Sequence, residues 1–233
     1  MHSIEPVLLP HDGPSDISLW RIDFAFDASL SDATVFASLS DDERARARRF
    51  LHHEDTVRFA SVRAALRELL AQRLGITAHA IRFAQDGNGR PRLADSARFD
   101  FNVSHAGAHG LIAMSPVRRV GVDIEQQRDG FDWRSIAALT LDPTEVAWLE
   151  RRDAMQQTAA FYEAWVAKEA LVKTTGAGIS RGLQYLTVLP REGSQVTLSN
   201  RIPDDMREIA AQWIAAPDAY SACVAWSTAT FAR

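Results

Sequence analysis

Two stretches of this chain can be laid on each other, and that internal likeness constrains the fold more than any other feature. Phe59-Ala-Ser-Val-Arg63-Ala-Ala-Leu66 matches Ala164-Trp-Val-Ala-Lys168-Glu-Ala-Leu171, with a basic residue and Ala-Leu in register. Each is followed by a Gly-Ile step, at Gly75-Ile76 and at Gly178-Ile179. Gly110-Leu-Ile-Ala-Met-Ser115 likewise resembles Ala222-Cys-Val-Ala-Trp-Ser227. Recurrence of the same pieces in the same order points to one structural unit used twice. The expected fold class is therefore α+β: two similar α+β halves, a pseudo-dimer in residues 1–115 and 116–233, packed around a central cleft. A ligand that must touch both halves would bind at that junction.

Local patterns supply the parts. Partial alternation predicts a strand over Ile17 to Ala25, and the polar residues Ser38 to Asp42 open a helix expected from Asp41 to His53. Val57, Ala60, Val62, Ala65, Leu66, Leu69 and Leu70 recur at helical spacing across Asp55 to Leu74, and Gly75 stops the helix. A strand at Ile81 to Ala84 precedes the turn Asp86-Gly87-Asn88-Gly89, whose residues tolerate positive φ. Strands follow at Phe99 to Val103, Gly110 to Ser115 and Val117 to Glu125. In the last, Val120, Val122 and Ile124 take one face, while Gly121, Asp123 and Glu125 take the other. Asp142 or Thr144 opens a helix through Glu150, and Gln157 to Thr174 is a longer one ended by Gly176 and Gly178. Strands are expected at Tyr185 to Leu189, Gln195 to Leu198, Gln212 to Ala215 and Ala219 to Trp226.

Composition narrows the function. Lys and Arg total 26 against 30 Asp and Glu, a formal net charge of -4, so nothing attracts a nucleic-acid backbone globally. Arg44, Arg46, Arg48, Arg49, Arg58, Arg63 and Arg67 nevertheless crowd one segment, either as a solvated helix face or as a local surface for an anionic ligand. The single cysteine, Cys223, excludes an internal disulfide or a multi-cysteine zinc site. The first ten residues do not resemble a signal peptide, and no apolar run suits a membrane span, so the expected location is the cytoplasm.

Three short elements carry chemistry. Asp123 and Glu125 put two carboxylates on one strand face, where they repel unless a cation lies between them. Hard oxygen donors without cysteine point to Mg²⁺, with Mn²⁺ as the alternative. The other reading is an ordinary half-exposed polar strand face. Glu169 and Lys173 stand four apart on a helix and share a face. They form either a surface ion pair or a divided site, with Glu169 completing the metal shell and Lys173 neutralising a phosphate oxygen, as phosphoryl transfer requires. Asn102-Val-Ser104-His105-Ala-Gly107 ends a strand in small hydrogen-bonding groups and an imidazole able to hold a diphosphate.

Taken together, Phe101-Asn-Val-Ser-His105, Gly121-Val-Asp-Ile-Glu125 and Trp165-Val-Ala-Lys-Glu169-Ala-Leu-Val-Lys173 resemble the three signature blocks of the 4′-phosphopantetheinyl transferases, in the surfactin-type subgroup. Similarity extends from Arg44 to Ser180. The resemblance implies attack by a serine of an apo acyl, peptidyl or aryl carrier protein on the β-phosphorus of the substrate coenzyme A, with release of 3′,5′-ADP. It implies Asp123, Glu125 and Glu169 as Mg²⁺ ligands, Glu169 also as the base, Lys173 and His105 at the diphosphate, and Ser104 among the residues that bind coenzyme A. Basic residues at positions where the family holds the 3′-phosphate and adenine are Arg46, Arg58 and Arg90, with Arg63 a further candidate. Glu43 stands where many members have a basic residue, and Arg44 beside it is the substitute considered. A monomer is expected from the internal duplication. The alternatives are a non-catalytic protein that binds coenzyme A or another nucleotide, and a metal-dependent phosphohydrolase.

Overall fold

A computed structural model describes residues 2–10, 12–27, 34–95, 99–176, 182–199 and 204–231. Strand β1 (His2–Val7) runs antiparallel to β2 (Ser18–Phe24), and three helices follow: α1 (Thr34–Ala37), α2 (Asp41–Ala47) and α3 (His53–Leu74). A small hairpin of β3 (Phe83–Gln85) and β4 (Pro91–Leu93) leads to β5 (Asp100–Ala106) and β6 (His109–Ser115). Then come β7 (Val120–Gln126), α4 (Arg134–Thr140), α5 (Pro143–Leu149), α6 (Ala154–Thr175), β8 (Ile209–Trp213) and β9 (Tyr220–Ser227).

Two sheets organise these elements. The first has the order β1-β2-β6-β5 and the second β7-β9-β8. In each, a strand leads to a 22-residue helix, two more strands follow, and the last strand in sequence pairs between the other two. The unit β2, α3, β5, β6 is thus repeated as β7, α6, β8, β9, and β1 is an addition to the outer edge. Both long helices end on a glycine in the left-handed region, Gly75 at φ 66° and Gly176 at φ 73°, where only glycine avoids a steric cost. The expected α+β pseudo-dimer is the observed fold.

Strand alternation sorts the cores. From β6, Ile112 and Met114 join Leu66, Leu69 and Leu70 of α3 in one core, while Leu111 and Ala113 turn the other way. These latter meet Val120, Val122 and Ile124 of β7 and Ala222, Val224 and Trp226 of β9, so the two sheets bury their inner faces on each other. Outside the second sheet, Cys223 and Ala225 pack on Phe161, Val166 and Leu171 of α6. Each fully buried aliphatic side chain in these layers contributes about 1.5–3 kcal/mol relative to exposure. At the junction, β5 replaces a backbone ladder with side chains: the Val120 amide donates to Asp100 Oδ2 at 2.9 Å and the Val122 amide to Asn102 Oδ1 at 3.0 Å.

Several expectations need correction. The helix expected from Asp41 to His53 ends at Ala47, and α3 starts two residues earlier than expected. β1 and α4 were not anticipated. The two strands expected at Tyr185 to Leu189 and Gln195 to Leu198 are absent as strands, leaving a 3₁₀ turn at Leu183–Tyr185 and the isolated bridges Thr187↔Ser199 and Gln195↔Gln212. For Tyr185 to Leu189 the reason lies in Glu145, whose Oε1 accepts from the amides of Val188 and Leu189 and so takes donors that a strand would give to a neighbour. Gly178 and Ile179, used in the repeat argument, lie outside the described residues. Among the described residues no helix is long and apolar enough to cross a membrane.

Candidate active site

Gly121 decides how closely the acidic strand and the long helix approach. A Cβ at that position would stand 2.2 Å from the Ala170 carbonyl oxygen and 2.4 Å from Thr174 Oγ1, both on α6. Only glycine permits this contact, and it places Glu169, which precedes Ala170, and Lys173, which precedes Thr174, over the β7 face that carries Asp123 and Glu125. The helix and strand blocks therefore meet because one residue has no side chain.

Asp123 lies at the centre. It is 2% exposed, not the half-exposed polar residue that an edge strand face suggests. Its Oδ1 accepts from Ser104 Oγ at 2.7 Å and from Lys173 Nζ at 2.6 Å. Lys173 also reaches Ser104 Oγ at 3.2 Å and the Val122 carbonyl at 3.3 Å. One carboxylate oxygen thus joins β5, β7 and α6, the carriers of all three sequence blocks. Asp123 Oδ2 is buried with no hydrogen-bond partner among the described residues, a situation that ordinarily costs about 1–3 kcal/mol.

The other two carboxylates share the strain. Burial, then the negative charges of Asp123 and Glu169, push Glu125 up to about 7. Glu169 is 5% exposed, and its proton affinity is raised by burial and by Asp123, against the lowering effect of Lys173. Among the described residues no three acidic, His or Cys side chains are drawn into a ready-made metal cage; the Lys173 ammonium is the cation that Asp123 holds. The donor set nevertheless fits a hard divalent ion: three carboxylates in mutual repulsion, one oxygen unsatisfied, and oxygen-only chemistry.

His105, at the end of β5, packs edge-on to Phe24 with ring centroids 6.5 Å apart. Burial, then the nearby Arg58 and Lys173 cations, lower its pKa, so the ring is neutral near pH 7. Arg58 supports the turn beyond it, donating from Nε to the Gly107 carbonyl at 2.7 Å while its other nitrogens hold Asp55 and Glu54.

The remaining arginines separate into two groups. Arg46 and Arg63 line a cavity of about 640 Å³ together with Arg49, Arg67, Arg82 and Phe83. Arg63 has a buried Nη1 without a hydrogen-bond partner among the described residues, and its guanidinium carbon lies 4.6 Å from the Phe83 ring centre. Glu43 closes a capping box with Ser40 and also pairs with Arg67 at 2.7 Å and Arg63 at 3.4 Å. Arg90 is placed elsewhere: its guanidinium grips Asp100 through two bonds of 2.8 Å and donates to the Val120 carbonyl at 2.7 Å, tying β5 to β7. Arg44 is likewise occupied, capping carbonyls of Phe36 and Leu39. Arg49, Arg67 and Arg82 were not singled out as ligands from sequence, although the first two belong to the arginine-rich segment that signalled an anionic site.

A duplicated α+β unit whose junction holds acidic groups, a lysine and an imidazole, and whose first half carries an arginine-lined cavity, has charges suited to phosphate-bearing groups. The chain itself agrees with known proteins along most of its length. Residues 119–225 match the 4′-phosphopantetheinyl transferase superfamily, and residues 28–117 match the N-terminal region of 4′-phosphopantetheinyl transferases. The 4′-phosphopantetheinyl transferase HetI of Nostoc is 32% identical over 201 residues, covering 82% of this chain and 84% of HetI. Sfp of Bacillus subtilis is 30% identical over 166 residues, 71% of this chain and 72% of Sfp. A Synechocystis protein assigned to the same activity is 39% identical over 158 residues, and that match spans only 63% of the relative's length. The chain belongs to the 4′-phosphopantetheinyl transferase family, a family of enzymes.

Proposed function

We propose that this protein transfers the 4′-phosphopantetheine arm of coenzyme A to a serine of an apo acyl, peptidyl or aryl carrier protein, with a surfactin-type arrangement of both halves in one chain. The observation that carries the proposal is the meeting of Ser104, Asp123 and Lys173 at one oxygen, because it assembles the three blocks into a single site.

The chemistry follows from the charges. The serine oxygen forms a bond to the β-phosphorus, the bond from that phosphorus to the departing 3′,5′-ADP breaks, and the serine proton moves to Glu169, whose raised proton affinity suits a base. Asp123, Glu125 and Glu169 would hold Mg²⁺, or Mn²⁺, which when bound neutralises diphosphate charge. Lys173 lies on the same side and exchanges its bond to Asp123 for a phosphate oxygen. His105, neutral in the free protein, donates one N–H, and an arriving diphosphate strengthens that bond by raising the ring's proton affinity. The arginine-lined cavity around Arg46 and Arg63 takes the phosphorylated nucleoside end, which orients the reacting phosphorus at a distance from it. Arg58 and Arg90 act behind these contacts, holding the Gly107 turn and the sheet junction. The duplication within one chain supports action as a monomer, residues 1–115 and 116–233 each supplying one half. The work is cytoplasmic, where carrier proteins and coenzyme A meet.

Incubation with coenzyme A, Mg²⁺ and an apo carrier domain, followed by intact mass measurement of the carrier, tests the proposal. The expected result is a gain of one phosphopantetheine mass that disappears with chelator. Release of 3′,5′-ADP without carrier modification would favour the phosphohydrolase reading, and binding without release would favour a non-catalytic one.

A further inference from the structure

The turn Ala106-Gly107-Ala108-His109, which follows His105, is gripped from both halves of the molecule. Gly107 has φ 51°, and a Cβ on it would lie 2.1 Å from Tyr220 Oη and 2.4 Å from Gln126 Oε1. The Ala108 amide donates to Tyr220 Oη at 3.0 Å, and the Ala108 carbonyl accepts from the Phe24 amide at 2.9 Å. On the next residue, the His109 ring packs edge-on to Tyr220 at 4.8 Å between centroids while its Nδ1 meets Asp23 Oδ1 at 2.6 Å. Tyr220 begins β9 in the second half, and its cross-strand partner is Gln126 of β7, the strand that carries Asp123 and Glu125.

The backbone before Tyr220 carries an independent sign of constraint. Ala219 has φ 63°, the only positive-φ residue other than glycine among those described, a conformation that costs an alanine free energy and persists where surroundings enforce it. Its carbonyl accepts from the Gln127 amide at 2.8 Å, so the strained turn is tied to the end of β7. Ring, hydroxyl and backbone of one segment thus connect the acidic strand to the imidazole-bearing hairpin.

We propose that Tyr220 is a positioning residue: through its hydroxyl bond to the Ala108 amide it fixes the Gly107 turn, and so sets where His105 stands relative to the carboxylates of β7. The proposal rests on the reading of His105 as a diphosphate contact. Tyr220→Phe keeps the ring against His109 and removes only the hydroxyl. In that variant kcat/KM for coenzyme A falls about tenfold, KM for the carrier stays within about twofold, and the His105 ring resonances shift in NMR spectra of the free protein. In a His105→Ala background the same substitution produces little further loss, because positioning and positioned group act as a unit. Equal losses in both backgrounds, or His105 resonances unchanged in Tyr220→Phe, would overturn the proposal. Full activity of His105→Ala would instead remove the reading on which it rests, and the NMR comparison, which needs no turnover, then decides the geometric part by itself.

Discussion

Asp123 stands on a strand face that alternation alone would leave half-exposed, yet it is 2% exposed. Its burial changes the experiment that probes it, because Asp123→Ala would leave Ser104 and Lys173 without their shared acceptor. The informative variant is Asp123→Asn, which keeps the shape and removes the charge. Transfer should fall by at least about a hundredfold, a loss of roughly 2.7 kcal/mol of transition-state stabilisation, with the circular dichroism spectrum unchanged. Turnover within a few fold of the parent would remove Asp123 from the site. Lys173 makes a separable contribution: Lys173→Ala should raise KM for coenzyme A about tenfold or more while a carrier titration at saturating coenzyme A changes little. An unchanged rate at limiting coenzyme A would contradict that role.

At the scale of elements, the long helix α6 is held in place by a buried pair that the motif reading did not interpret. Lys168 is fully buried, donates to the Thr140 carbonyl at 2.7 Å and bonds Glu145, which is itself buried in α5. The residue next to Glu169 in the motif thus fastens the helix, whereas Lys173 bonds Asp123 and Glu169 lies within electrostatic reach of both. Removing one member of such a pair leaves the other charged and buried, so Lys168→Met should cost about 3–5 kcal/mol of stability; urea unfolding measures it, and a loss below about 1 kcal/mol would show the pair to be dispensable. The same contrast explains what was legible in the sequence. β7 was readable because its period of two separates Val120, Val122 and Ile124 from Gly121, Asp123 and Glu125 over a single strand. The roles of Arg90, Tyr220 and Glu145 were not, since each depends on partners 10 to 112 residues away: Asp100 and Val120, Ala108, and Lys168 and Val188. Tyr185 to Leu189 has a strand-like pattern without being a strand for the same reason, the amides of Val188 and Leu189 being taken by a glutamate that local pattern does not reveal.

For the whole molecule, α6 packed outside the second sheet and β5 set beside β7 enclose the acidic site, where Asp123 and Glu169 are desolvated. The cost shows in the pH dependence of the metal-free protein. Glu125 and Glu169 have folded-state pKa values raised above the ordinary 4.5, Glu125 to about 7. The folded state therefore binds more protons than the unfolded state, and the stability this confers is present below about pH 4.5 and lost as pH rises through about 7. With divalent ions chelated, Tm should fall from about pH 5 to about pH 8, and Glu125→Gln should flatten the decline; an identical slope in the variant would show that Glu125 is not its source. Repulsion of that kind is the condition a divalent cation relieves. The most direct test of the account is a Mn²⁺ titration followed by electron paramagnetic resonance, with coenzyme A present, on the parent and on Glu169→Gln. The account predicts one tightly held ion per chain in the parent and at least about tenfold weaker binding in the variant, since the helix would no longer complete the shell begun by the strand. Equal Mn²⁺ affinity in the two proteins would contradict it.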